Sequence, residues 1–210
     1  MSADASAGGT TADLGVPASR PRRADAQRNY DALLKAASAV FAQHGLDASL
    51  EDVAKQAGVG IGTLYRNFPS REALVVAAYR TGVEDLAEAA RQYLADHPAD
   101  EALELWMERF IGYVATKRGL AAVLKTAADS HVELFAYTRS VLLGAISDLL
   151  TAAADAGHIR RDVEPEDLLR AIGGICMVSD QPGWEEQARR LLNLFMDGLR
   201  FGAVAPAGVR

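Results

Sequence analysis

Few side chains in this sequence are spaced for covalent or metal chemistry. Cys176 is the single cysteine, so it closes no internal disulfide, and its apolar run GGICMV brings no base to activate a thiolate. Asp155 and His158 have the i, i+3 spacing that puts two metal ligands on one helix face, but a di-iron bundle needs a second such pair and the four histidines supply none. Gly58, Gly60 and Gly62 lack the third spacing and the preceding strand of a dinucleotide fingerprint, and there is no phosphate-loop lysine motif. These observations predict no enzyme, no metal and no cofactor. A different chemistry is available in IGTLYRNFPSR, residues 61–71. The Arg66 guanidinium can pair bidentately with guanine O6 and N7, worth ~1–3 kcal/mol of base discrimination, and Ile61 can pack on a thymine methyl. Such side chains read DNA only if an element carries them into a groove.

The elements that must do this are helices. Of 210 residues, 50% are hydrophobic and 24% charged, an ordinary globular balance that excludes disordered and collagen-like chains. Apolar residues recur at spacings of three and four, and no segment alternates over strand length, so the chain is predicted to be all-α. Residues 1–19, rich in Ala, Gly, Ser and Thr, are expected to be a disordered tail, and 206–210 a second short tail. Helix 1 is predicted over 24–44 with its stop at Gly45. Ser49 and Asp52 form a capping-box pattern in which Ser49 accepts from the third helical amide and Asp52 reaches back. The short helix it starts breaks at Gly58, and another short helix with Leu64, Tyr65 and Phe68 follows after a three- or four-residue turn. Two short helices around a glycine turn predict helix-turn-helix, with the small Ala54 allowing their close crossing. Charge is divided in the same way. Residues 20–71 carry eight Lys and Arg against five acids, whereas 72–210 carry fourteen against twenty-one, within a net charge of −6. Only the first part is suited to a polyanion.

The segment SLEDVAKQAGVGIGTLYRNFPSREAL resembles the DNA-binding module of TetR-type (tetracycline-repressor-like) transcriptional regulators. The matching residues are Ala54, Ala57, Gly58, Val59, Thr63, Leu64, Tyr65, Phe68, Ser70, Arg71 and Glu72, in register without a gap. The resemblance covers roughly 24–78. In a helix-turn-helix the N-terminal part of the second helix faces base edges, which points Ile61, Gly62, Thr63 and Arg66 at DNA. Gly62, without a side chain, lets the backbone come close. The resemblance further implies phosphate contacts for Thr63, Tyr65, Asn67 and Arg71, with Ser49 at the DNA side of the preceding helix. Asn67 stands where the family more often has histidine. Arg20, Arg22 and Arg23 have two readings: an arm that meets phosphates or the minor groove, or a solvated basic linker.

Downstream, residues 71–205 are expected to form a helical effector-binding and dimerisation domain following a 20–70 DNA-binding domain. A fourth helix over 71–94 breaks at His97-Pro98. A fifth runs to Lys117, Gly119 interrupts it, and a short sixth reaches Leu124. Ser130-x-x-Glu133 caps a seventh that Gly157 closes near Ala156. Pro165 starts an eighth ending near Ser179, and a ninth covers 184–202. The resemblance implies a homodimer built on the last two helices, with Leu168, Ile172, Cys176, Leu191, Phe195 and Leu199 at the interface, and a pseudo-palindromic operator. It also implies a small-molecule effector between helices 4 and 8. Trp106, Phe110, Tyr113 and Phe135 are its candidate contacts, and His131 and Tyr137 lie on the same helices. Repression is the family's usual mode. No stretch approaches the ~18–20 apolar residues of a membrane span and the N-terminus lacks the pattern of a signal peptide, so the expected compartment is the cytoplasm. An all-α ligand-binding or adaptor protein without DNA function is the alternative.

Overall fold

The computed structural model describes residues 21–127, 132–178 and 181–201, and every regular element among them is helical. The expected tails, Ser130 and His131 lie outside the described residues.

Helix α1 (Pro21–His44) buries Leu33, Leu34, Ala37, Val40 and Phe41 along one face. It begins three residues earlier than the sequence predicts, because Pro21 has the φ of a helix start already set. Arg22 and Arg23 therefore belong to the first turn of α1 and not to an arm ahead of it. Gly45, at φ +54, turns the chain out of α1 into a 3-10 turn over Gly45–Asp47.

Helix α2 (Leu50–Gln56) starts at Ser49, whose Oγ accepts the Asp52 amide at 3.0 Å. The return half of the box differs from expectation: the Asp52 carboxylate accepts the Ser49 hydroxyl at 2.6 Å. Gly58, at φ +70, makes the turn, and α3 (Ile61–Asn67) follows directly. Helix α4 (Arg71–Asp96) is capped by Ser70, which accepts the Ala73 amide at 3.1 Å. It ends where Pro98 requires an extended His97.

Helix α5 (Ala99–Ala127) corrects the sequence reading. It runs without a break through Gly119, so the described residues form eight α-helices and not nine. Gly119 is there for space. A Cβ at that position would lie 1.9 Å from the Phe41 carbonyl oxygen, so the glycine lets α5 cross the end of α1 in direct backbone contact. Helix α6 (Val132–Asp155) is closed at Gly157, φ +74. Helix α7 (Pro165–Met177) opens on its proline, and α8 (Trp184–Phe201) completes the described chain.

Helices α4, α5 and α6 pack together as the centre of the molecule, with α1 across α4 and α5, and α8 across α5 and α7. Trp106 lies fully buried there and donates its indole N–H to the Leu86 carbonyl at 2.8 Å. Each large apolar side chain buried in this way contributes about 1.5–3 kcal/mol of transfer free energy. The core is continuous from Leu33 in α1 to Leu199 in α8, so the N-terminal and C-terminal helices share one packed interior.

Candidate nucleic-acid interface and helical cavity

The seven residues of α3 divide cleanly. Leu64 is buried, as is Phe68 just after the helix, while Ile61, Gly62, Tyr65 and Arg66 are exposed on the outer side. Tyr65 is 48% exposed, a large aromatic held out of a core that has room only for Leu64 and Phe68 from this segment. Phe68 instead stacks on Tyr30 of α1, ring centroids 5.0 Å apart, which fixes the end of α3 against α1. Arg66 folds back along its own helix: Nε donates to the Gly62 carbonyl at 3.1 Å and a terminal nitrogen to the Thr63 hydroxyl at 2.9 Å. Both acceptors are neutral, so the guanidinium keeps its charge at the surface, ready to exchange weak local bonds for stronger ones.

Two residues grouped with these by sequence occupy a different setting. Asn67 is half-buried and its amide donates to the Thr63 carbonyl at 2.8 Å, finishing the last turn of α3. Arg71 is also half-buried. Its guanidinium donates to the Ala48 carbonyl at 2.5 Å and to the Gly45 carbonyl at 3.5 Å, and covers the Phe41 ring at 5.0 Å from the centroid. Arg71 thus ties the start of α4 to the end of α1 and the approach to α2. An arginine following a Ser cap carries no sequence mark of such a role. Ser49 serves as the α2 cap, and the side chains of Arg22 and Arg23 are outside the described ones.

A cavity of about 360 Å³ opens between α4, α5, α6 and α7. Phe110, Tyr113 and Phe135 line it as the sequence anticipates. Trp106 is not among its described lining residues; it stands one layer back, 5.7 Å from the Phe110 ring. Tyr137 is exposed and donates to Glu84 at 3.2 Å. Sequence reasoning missed Tyr79, Lys117, Arg139 and Leu169, which come from four different helices. The one local signal was Thr138, a fully buried polar residue in an apolar stripe of α6. It donates to the Leu134 carbonyl at 2.9 Å and sits 3.2 Å from the Tyr79 hydroxyl. A second cavity of about 270 Å³ adjoins the first, shares Tyr79, Tyr113 and Lys117 with it, and reaches Ser38 of α1.

Residues 33–78 match the family described as bacterial regulatory proteins, tetR family, and 98–201 match the C-terminal domain of SbtR-like transcriptional regulators. The crystal structure of the TetR transcriptional regulator SCO0520 from Streptomyces coelicolor is 46% identical, with a TM-score of 0.75 over 81% of this chain and 97% of that one. The chain belongs to the TetR family of transcriptional regulators. A TetR regulatory protein of Mycobacterium vanbaalenii is 32% identical, with a TM-score of 0.68 over 86% of this chain and 99% of its own. The transcriptional repressor KstR2 of Rhodococcus jostii is 26% identical over 184 residues, 80% of this chain and 89% of that one. Membership of the TetR family gives the helix-turn-helix its role and sets aside an adaptor without DNA function.

In this TetR-family chain the last two helices require a reassignment. Leu168, Ile172, Cys176 and Leu199, expected at a subunit interface, are buried inside the chain and have almost no surface left for a partner. Together with Ala188, Leu192 and Met196 they form the inward stripe of α7 and α8. The outward stripe is Leu191, Leu194 and Phe195, with Met177 and Val178 at the end of α7. Leu194 is 69% exposed. Both stripes of α8 are apolar, which is why spacing alone did not separate them. Burial pushes the Cys176 thiol up to about 11 against the lowering effect of Arg118, so at neutral pH it is protonated and a poor nucleophile. Asp155 pairs with Arg161 at 3.2 Å and His158 with Asp100 at 2.8 Å, so that pair does not converge on one point. No helix among the described residues is long and apolar enough to cross a membrane.

Proposed function

We propose that this regulator is a homodimeric repressor that holds a pseudo-palindromic operator through α3 and releases it when a small molecule occupies the α4–α7 cavity. Arg66 and Ile61 read bases, Gly62 admits the backbone, and Thr63, Tyr65, Ser49 and the α1 residues Arg22 and Arg23 meet phosphates. Asn67 and Arg71 hold this surface in shape. Phe110, Tyr113 and Phe135 contact the effector, and Trp106 supports them from behind. The outward stripe of exposed Leu194 and half-buried Leu191 and Phe195 pairs with the same stripe of a second subunit, as an isologous two-fold contact requires. The protein acts in the cytoplasm, with the DNA.

The observation that carries this reading is the position of α4. Arg71 at its start grips the α1–α2 junction, and Tyr79 in the same helix lines the cavity. The two are eight residues apart, about 12 Å along a helix. A ligand that displaces α4 at Tyr79 therefore moves the base of the DNA-reading unit. It acts as an inducer only if it favours the arrangement that does not fit DNA, since equal affinity for both arrangements shifts nothing.

Selection of bound fragments from a random DNA pool tests the proposal. The expected product is an inverted repeat whose half-sites are centred about one helical turn apart, ~10–10.5 bp, or a multiple of it. Enrichment of unrelated single sites, or of none, contradicts it.

A further inference from the structure

The polar atoms of the α4–α7 cavity are unequally committed. Thr138 gives its proton to the Leu134 carbonyl, so its oxygen accepts from the Tyr79 hydroxyl at 3.2 Å, and Tyr79 has no proton left to offer. The Tyr113 hydroxyl is different. It is buried beside the Tyr79 hydroxyl, which is its one polar neighbour among the described residues and too poorly placed for a full hydrogen bond. A buried donor without a well-placed protein acceptor rewards any ligand that supplies one. Burial beside Tyr79 also holds the Tyr113 phenol far above its ordinary range, so it remains a donor at any physiological pH.

The charges lining the cavity have one sign. Lys117 comes from α5, with Nζ 5.7 Å from the Tyr79 ring centroid, and Arg139 comes from α6. No carboxylate is among its described lining residues; Asp85 lines the adjoining cavity, where Arg109 offsets its charge. Arg139 is already paired with Glu166, which leaves Lys117, set against the Tyr79 ring, as the lining cation that meets a ligand. The remaining wall is mainly apolar, with Phe110, Phe135, Leu142 and Leu169. One phenol donor and one ammonium match a single negative charge. A phosphate dianion would bring a second charge into a mainly apolar enclosure whose other cation, Arg139, is already paired with Glu166, and an amine would face Lys117.

We infer that the cavity takes an apolar carboxylate, held by the Tyr113 hydroxyl and Lys117, with its hydrocarbon or aryl body against Phe110, Phe135, Leu142 and Leu169. This rests on the reading of the cavity as the effector site. Hydrogen bonds to an ionised acceptor are shorter and roughly twice as strong as neutral ones, so the carboxylate form is selected over its neutral isostere.

The test uses the full chain with octanoate, 4-phenylbutanoate and 2-naphthylacetate, each beside its primary amide and matching amine. Calorimetry is expected to find at least one carboxylate bound ten-fold or more tighter than its amide, and no amine bound. Tyr113→Phe weakens that carboxylate at least five-fold, yet leaves the unliganded melting temperature unchanged or raised, because the variant lacks the poorly paired hydroxyl. Lys117→Met brings carboxylate and amide within two-fold of each other. Equal or tighter binding of amides or amines, no binding of any of the three carboxylates, or undiminished binding to Tyr113→Phe would overturn the assignment. A neutral or cationic probe that binds and releases DNA removes the carboxylate assignment and keeps the effector reading. A carboxylate that binds with the expected variant responses but leaves DNA affinity unchanged keeps the assignment and removes the effector reading.

Discussion

Arg66 and Arg71 lie five residues apart, one on the outer side of α3 and the other against the carbonyls of Ala48 and Gly45. Their truncation is therefore expected to fail in different ways. Arg66→Ala loses only exposed local bonds, so its melting temperature stays at the wild-type value, while operator affinity falls by the ~1–3 kcal/mol of a bidentate base contact and non-specific affinity changes little. Competition binding against a scrambled duplex measures this. Arg71→Ala breaks charged hydrogen bonds in a half-buried setting, a loss of about 1.5 kcal/mol that lowers the melting temperature by roughly 3–6 °C. If Arg71 were chiefly a phosphate contact, its removal would leave melting unchanged and reduce the salt slope of binding by about one per site. Cys176, buried and with its thiol pushed up to about 11, is expected to react with Ellman's reagent only after the protein unfolds. Rapid labelling of the native protein at neutral pH would show that α7 opens readily.

At the scale of elements, local chemistry in the sequence placed the start of α2 at Ser49, the turn at Gly58, the end of α4 before Pro98 and the start of α7 at Pro165, because each uses side chains within a few residues. It misjudged Gly119 because the atom that demands a glycine there, the Phe41 carbonyl oxygen, is 78 positions away in sequence. The cavity was legible to the same extent. Phe110, Tyr113 and Phe135 declared themselves as aromatic residues on helices, whereas Tyr79, Lys117 and Leu169 join them only through the packing of α4 and α7 on α5 and α6. Gly119 gives the sharpest prediction. Gly119→Ala forces α5 off α1 and destabilises the protein by at least the ~1–3 kcal/mol of an overpacked core. Gly144→Ala on α6, where a Cβ meets open space, gains about 0.5–1 kcal/mol from helix propensity. Chemical denaturation of the two variants checks the pair, and a stable Gly119→Ala would contradict the close crossing.

For the whole molecule, the continuous core from α1 to α8 means that the reading surface, the cavity and the outward face of α8 are parts of one mechanical unit. In the proposed dimer two subunits read two half-sites, and the apolar stripe on the outward side of α8 is the surface proposed to join them. Leu194→Glu places a charge at the centre of that stripe. It is expected to give a folded monomer by light scattering and to weaken operator binding severely, since one α3 then reads one half-site alone. A dimer that persists in Leu194→Glu would move the interface elsewhere. Sequence reading by α3 through Arg66 is measured by fluorescence anisotropy. The wild-type chain and Arg66→Ala are titrated on the selected inverted repeat and on its scrambled counterpart, at two salt concentrations. Wild-type binding is expected to weaken with salt and strongly prefer the repeat, and the Arg66→Ala chain to keep the salt dependence but lose most of the preference. Equal preference in the two proteins would contradict reading through Arg66.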